Sequence, residues 1–255
     1  MSKINFNVNF TDDLLVDTEG TSDGTQCKYY SGGYWYKTNN EGEEDLVEYL
    51  VSKLLTFSDL PKDSYVIYER GILNGKKACR SKSFLSPEET FTTLERMHQN
   101  IVGTPLHKAI VGKELEESIQ YVLDFVKYAA DGLDLTDYFS KVFTADYITL
   151  NEDRHFHNLG IIMLADGTYK PAPIFDNGKS LLNANSSIKH GASIAENVKR
   201  VSARPFSGSH KKTFEYFGQG FRLDREGAIK WLKTEEESLY RDVLLYQLEN
   251  VKLKP

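Results

Sequence analysis

Residues 150–162 read LNEDRHFHNLGII, with an aspartate, Asp153, five positions ahead of an asparagine, Asn158, just before an apolar run. The run continues to Leu164, and a second extended stretch, Tyr169 to Phe175, follows Ala165-Asp166-Gly167-Thr168. Asp-Gly between two such runs is a short-range hairpin signal. A two-residue turn at Asp166-Gly167 would set Asn158 opposite Phe175 and His157 opposite Asp176, so that Asn158 and Asp176 become neighbours. Pro171 and Pro173 loosen this register, because proline cannot donate to a ladder. Asp153 then lies on the loop feeding the hairpin, and two carboxylates and an amide converge.

Phosphoryl transfer asks for such a set: one aspartate to orient or deprotonate the attacking hydroxyl, and oxygen ligands for magnesium from an asparagine and a second aspartate. Asp153 and Asn158 have the D-x-x-x-x-N spacing of a kinase catalytic loop, and Asp176-Asn177-Gly178 occupies the place of the metal-binding D-F-G. Each match alone is weak, since Asp and Asn also favour turns; their order around one hairpin carries the weight. Arg154 and His155 read as braces of the loop. His155 and His157 form an H-x-H pair without other convergent ligands, which is a poor zinc site.

Outward from this centre, residues 4 to 10 alternate in strand fashion, and KYYSGGYWYK (28–37) reads as a hairpin turning at Gly32-Gly33. Its aromatic run is better explained by packing in the hairpin than by base stacking, because no basic groove surrounds it. Ahead of the hairpin, GTSDGTQCK (20–28) offers Gly20, Gly24 and several hydroxyls to cradle a phosphate, although a plain loop explains this stretch equally well when it is read alone. Lys37 closes the hairpin and Lys28 opens it opposite; Lys37 is the favoured phosphate contact. A helix from about Glu43 to Leu55 carries an apolar stripe with Glu48 at its border. Glu48 is the expected partner of that lysine, and Glu44 is the competing choice.

Ser86-Pro87-Glu88-Glu89 predicts a helix start ahead of Phe91, Leu94 and Met97. Further helices are expected from near Lys113 to Gly132, after Asp134 or Thr136, and from about Ser207 onward. The fold class is therefore α+β: a strand-rich small lobe over residues 1–80 and a larger, mainly helical lobe over 81–255, with the site between them.

The chain has 255 residues, 40% of them apolar, enough for one substantial core or two packed lobes. Lys and Arg total 31 against 37 Asp and Glu, a formal charge of −6, so the overall field attracts neither nucleic acid nor anionic membrane. The two cysteines, Cys27 and Cys79, lack metal-site spacing, and the N-terminus does not read as an export signal. No run approaches the roughly 18 apolar residues of a membrane span. A soluble, cytoplasmic protein is expected, with neither nucleic acid nor membrane as a direct partner.

Asn151-Glu152-Asp153-Arg154-His155, Asn158 and Gly160, followed by Pro173-Ile174-Phe175-Asp176-Asn177-Gly178, resemble the C-terminal kinase region of HipA-like serine/threonine kinases. The resemblance extends to GTQCK, Lys37 and ARPFSGSH (203–210), and so covers most of the chain. It implies a two-lobed protein-kinase-like fold that uses ATP and Mg2+. In it Asp153 is the catalytic aspartate, Asn158 and Asp176 hold the metal, and Lys37 contacts ATP phosphates. Cys79 to Phe84 would cross the hinge beside adenine. The implied nucleotide set is Gly24, Thr25, Lys28, Lys37, Glu48, Arg80, Asn158 and Asp176.

The acceptor implied is a serine or threonine of a protein substrate, with lipid or small-molecule hydroxyls as the alternative; a nonenzymatic nucleotide-binding module is the competing class. Autophosphorylation of the Gly-rich loop is expected at Ser22 or Thr25. The match begins almost at that loop, without the N-terminal subdomain of full-length HipA toxins, which counts against an antitoxin-like partner.

Overall fold

The computed structural model describes residues 4–16 and 28–254. Alternation of side chains along the first segments produces a sheet with two different faces. β1 (Phe6–Val8), β2 (Leu15–Val16), β3 (Lys28–Ser31), β4 (Tyr34–Thr38), β5 (Tyr68–Leu73) and β6 (Lys76–Lys82) are ordered β1-β5-β6-β4-β3-β2. β1 runs parallel to β5, and the remaining pairs are antiparallel. The β3–β4 turn lies at Gly32-Gly33, both at positive φ, and sets Lys28 opposite Lys37 and Tyr30 opposite Trp35.

Because side chains alternate across a strand, Tyr29 and Tyr36 point to the other face, where Phe6 and Phe10 cover them. The Phe6 and Tyr36 ring centroids are 5.4 Å apart, edge to face. Gly71 is required under Phe6, since a Cβ there would lie 2.4 Å from the ring.

α1 (Glu44–Leu55) buries the whole predicted stripe of Leu46, Val47, Leu50, Val51, Leu54 and Leu55. Each such leucine contributes about 1.5–3 kcal/mol of transfer free energy. This stripe joins one continuous core with the helices that follow: α2 (Leu94–Val102), α3 (Leu106–Ala109), α4 (Leu115–Ala129), α5 (Thr136–Thr149), α6 (Ile194–Val198), α7 (His210–Phe217), α8 (Arg225–Leu232) and α9 (Leu239–Asn250). The sheet runs on to Lys82, two residues past the division expected near residue 80. Among the described residues no helix is long and apolar enough to cross a membrane.

Two local expectations are corrected. Ser86 and Glu89 do close a turn, with the Ser86 N–H donating to Glu89 Oε2 at 2.9 Å, but a strand follows it. β7 (Thr90–Thr93) pairs antiparallel with β8 (Gly160–Met163), and the helix waits until Leu94, where the Thr93 hydroxyl caps the Arg96 N–H. Three threonines and a phenylalanine suit a pleated surface, and a distant partner strand realised that propensity.

The second correction concerns the β8–β9 register, with β9 spanning Tyr169–Pro171. Ile161 faces Pro171, one residue away from the expected pairing. Gly167, at φ +84°, adds a third residue to the loop, and Leu164 N–H bonds to Thr168 O at 2.8 Å. This is the three-residue alternative to the two-residue turn. β9 also stops at Pro171, short of Asp176.

Candidate active site

Three segments converge against one face of the sheet. Lys37, near the end of β4, extends from the face that also carries Trp35. Its ammonium donates to Glu48 Oε1 of α1 and to Asp176 Oδ1 at 2.9 Å. Glu48 is fully buried, and its other oxygen accepts the Asn177 N–H at 2.9 Å, so this helical acid ties the lysine to the segment after β9. Glu44, one turn earlier, instead accepts the N–H groups of Asn40 and Glu41 at the helix start.

Burial opposes charge on Lys37, but Asp176 and then Glu48 outweigh it and hold the ammonium well above the ordinary lysine value. Burial likewise opposes charge on Asp176, and Lys37 and Lys28 overcome it, holding the carboxyl below the ordinary aspartate range. Glu48 goes the other way: burial raises its pKa, with Lys37 compensating only in part. Lys28 is lowered by burial, with the nearby Lys37 adding to the effect against the pull of Asp176.

Asp176 sits at φ +55°, a conformation that a non-glycine residue holds only when its surroundings impose it. Arg154 imposes it from below. This guanidinium is completely buried and donates through Nε and Nη2 to Asp146 of α5, through Nη1 to Phe175 O at 2.7 Å, and through Nη2 to Asn177 Oδ1 at 2.7 Å. Residues on both sides of Asp176 are thus pinned to the loop that carries Asp153. Tyr68 Oη also accepts the Asp176 N–H, at 3.3 Å.

The loop itself is held by its own polar atoms. Asn151 Oδ1 accepts the Asp153 N–H at 2.9 Å, and Asn151 O accepts Nε2–H of buried His210 at 2.7 Å. Asn158 donates through Nδ2 to Asp153 O at 3.0 Å, while its Oδ1 is buried without any hydrogen-bond partner among the described residues. A buried orphan acceptor is costly and calls for an explanation; a cation supplies one. Asn158 Oδ1 and the Asp176 carboxylate therefore fit a hard, oxygen-seeking ion. Among the described residues no group of three His, Cys, Asp or Glu side chains forms a closed metal site. An ion held by one amide and one carboxylate takes its remaining ligands from water and substrate phosphates, as magnesium does.

Asp153 keeps its carboxylate partly exposed, with His155 Nε2 at 3.6 Å and Arg204 Nη1 at 3.8 Å. Burial lowers the His155 pKa, and its ring feels both Asp153 and Asp176.

A cavity of about 150 Å³ adjoins the cluster, walled by Trp35, Val66, Tyr68, Phe84 and Phe175, with Lys28, Lys37 and Asp176 on its polar side. Ser83 and Leu85, just after β6, also line it. Arg80 does not join this group. Strand alternation turns it to the opposite face, where it pairs with Glu69 at 2.7 Å and lies 4.6 Å from the Tyr34 ring centroid. Gly24, Thr25 and Ser22 lie outside the described residues.

Sequence reading missed three contributors: Tyr68, the Asp146 partner of Arg154, and Arg204 beside Asp153. Tyr68 had a signal, because Asn74-Gly75 marks the turn of the β5–β6 hairpin that presents it. Asp146 lies four residues before Leu150 in a helix with no local sign of its distant task.

No protein-family model matches the sequence, and no curated protein is detectably similar to it. Among solved structures, the chain is similar to the Helicobacter pylori proinflammatory kinase CtkA, with TM-score 0.59 and 15% identity over 95% of this chain and 93% of that one. It also matches HipA in the HipA–HipB–operator DNA complex of a Shewanella oneidensis MR-1 toxin–antitoxin system, with TM-score 0.42 and 12% identity over 90% and 64% of the two chains. The likeness to CtkA extends over nearly the whole of both chains and shows that this chain has a kinase-like α+β fold.

Proposed function

We propose that the protein is an ATP- and magnesium-dependent phosphotransferase, a HipA-like kinase acting on serine or threonine of a protein substrate in the cytoplasm. The observation that carries this reading is the joining of the Lys37–Glu48–Asp176 ion network to the orphan Asn158 oxygen and the partly exposed Asp153, beside an aromatic cavity. Trp35, Val66, Phe84 and Phe175 offer apolar walls to a nucleobase, and Lys37 offers its charge to the phosphates. Asn158 Oδ1 and Asp176 would hold magnesium, which when bound supplies neutralising charge for the transferring phosphoryl group.

Asp153 orients the acceptor hydroxyl. As the acceptor oxygen bonds to the γ-phosphorus and the bond to the ADP oxygen breaks, the hydroxyl proton passes to the Asp153 carboxylate. His155, whose pKa burial lowers, stands beside that carboxylate at 3.6 Å. Autophosphorylation at Ser22 or Thr25 belongs to the same proposal: a phosphate there would bring about −1.5 to −2 charges beside those of the nucleotide and lower activity.

The test is incubation of purified protein with labelled ATP, magnesium and cell extract, with Asp153→Asn alongside. Label on protein serine or threonine that Asp153→Asn abolishes, while that variant still binds nucleotide, supports the reading. Wild-type transfer by Asp153→Asn refutes the role of Asp153. Label found only in lipids or metabolites refutes the protein acceptor.

A further inference from the structure

A second cavity, of about 570 Å³, abuts the nucleotide cleft and shares two wall residues with it, Val66 and Phe84. It is larger than the cleft, yet Lys37 and Asp176 line only the cleft, so the phosphoryl chemistry above leaves it unused. Its walls combine apolar groups, among them Ile67, Ile162 and Ile174, with lysines from four separate segments: Lys62, Lys82, Lys141 and Lys170. Two of these are already neutralised. Lys141 pairs with Asp137 at 2.6 Å, and Lys170 pairs with Glu89 at 2.7 Å. Lys62 and Lys82 have no ion-pair or hydrogen-bond partner among the described residues, against one similarly unpaired wall carboxylate, Asp63. In a chain of net charge −6, this is a local surplus of unpaired cations around an apolar cavity of ligand size.

We propose that this cavity binds a small organic anion, a phosphate or carboxylate on an apolar body, and that its occupancy tightens nucleotide binding in the adjoining cleft. The anion pairs with Lys62 and Lys82, and the body packs on Phe84, Ile162 and Ile174. Coupling runs through short, defined contacts. Val66 N–H donates to Ile174 O at 2.9 Å and Ile174 N–H to Ser64 O at 2.8 Å, so the cavity wall is bonded to the segment beyond β9 that reaches Asp176 two residues later. A ligand that holds this wall in place holds Phe84 and Asp176 in their nucleotide-facing positions. The coupling rests on the nucleotide reading of the cleft; binding in the cavity does not.

Phenyl phosphate, which joins a dianion to a flat apolar body, is the probe. In calorimetric titration of the full chain, saturable binding is expected both with the cleft free and with it filled by a non-hydrolysable ATP analogue. The analogue should tighten phenyl phosphate binding at least about fivefold, and phenyl phosphate should tighten analogue binding by the same factor, as linkage requires. Lys62→Ala/Lys82→Ala, both positions exposed, should weaken phenyl phosphate binding at least tenfold and leave thermal stability unchanged. Inorganic phosphate and benzyl alcohol, each lacking one half of the probe, should bind at least tenfold more weakly.

Absence of saturable binding, displacement by the analogue, or equal binding by the double variant would overturn the proposal. If the analogue itself fails to bind, the cleft reading falls, and the phenyl phosphate titration of wild type and double variant still decides the cavity.

Discussion

Replacing Arg154 by lysine isolates what the buried guanidinium contributes. The substitution keeps a cation opposite Asp146 and so avoids stranding a buried carboxylate, which would cost about 3–5 kcal/mol. A single ammonium cannot reproduce the fork, and the bonds to Phe175 O and Asn177 Oδ1, both 2.7 Å, are lost. Each leaves an acceptor without its charged donor, at roughly 1–1.5 kcal/mol apiece, for a total of about 2–3 kcal/mol. For a chain of this size that corresponds to a melting temperature about 4–12 °C lower.

Urea unfolding followed by the fluorescence of Trp35 and Trp231 measures the first figure, and thermal melting measures the second. Since the lost bonds flank Asp176 at φ +55°, that residue should relax, and magnesium-dependent nucleotide affinity should fall along with stability. A cycle with Asn177→Ala should give a coupling of about 0.5–3 kcal/mol between the two positions. A lysine variant within 0.5 kcal/mol of wild type, on the order of a neutral surface change, would refute the clamp.

Gly160→Ala would place a Cβ 2.5 Å from the Phe91 ring and 2.6 Å from Thr92 O, so β7 and β8 must part at a cost of about 1–3 kcal/mol; an unchanged melting curve would contradict this packing. Burial lowers the pKa of both His155 and His210, so the unfolded chain takes up more protons than the folded one below about pH 6.5. Stability should be full above that pH and decline as pH falls through it, before Asp176 contributes its own loss below about 3.8; urea midpoints that stay level between pH 7.5 and 5.5 would show otherwise. Mass spectrometry of active protein incubated with ATP should find phosphate on Ser22 or Thr25 within residues 20–28, and an unmodified peptide would rule that modification out. Asp176→Asn should keep the backbone geometry but weaken nucleotide binding in magnesium more than in EDTA, as titration in the two buffers will show.

Sequence periodicity alone determined the elements whose partners are local. The β3–β4 hairpin needs only Gly32-Gly33 and alternating aromatics, and α1 needs only its leucine and valine stripe, so both were legible within a dozen or so residues. The order Asp153, Asn158, hairpin, Asp176 was legible for the same reason, since all of it lies within one short span of chain. Where the outcome depended on a distant surface, local reading failed. Ser86–Glu89 carries helix-start chemistry, yet β8, some seventy residues on, drew Thr90–Thr93 into a sheet. Arg80 lies on β6, but the pleat, fixed by which face Phe6 covers, turned its side chain from the cleft. The choice of Glu48 over Glu44 depended on helix rotation, set by burial of the apolar stripe against the rest of the core. The cost of burying Arg154 is met by Asp146, Phe175 and Asn177, which approach it from a helix and from the segment beyond β9, brought together by the folded chain.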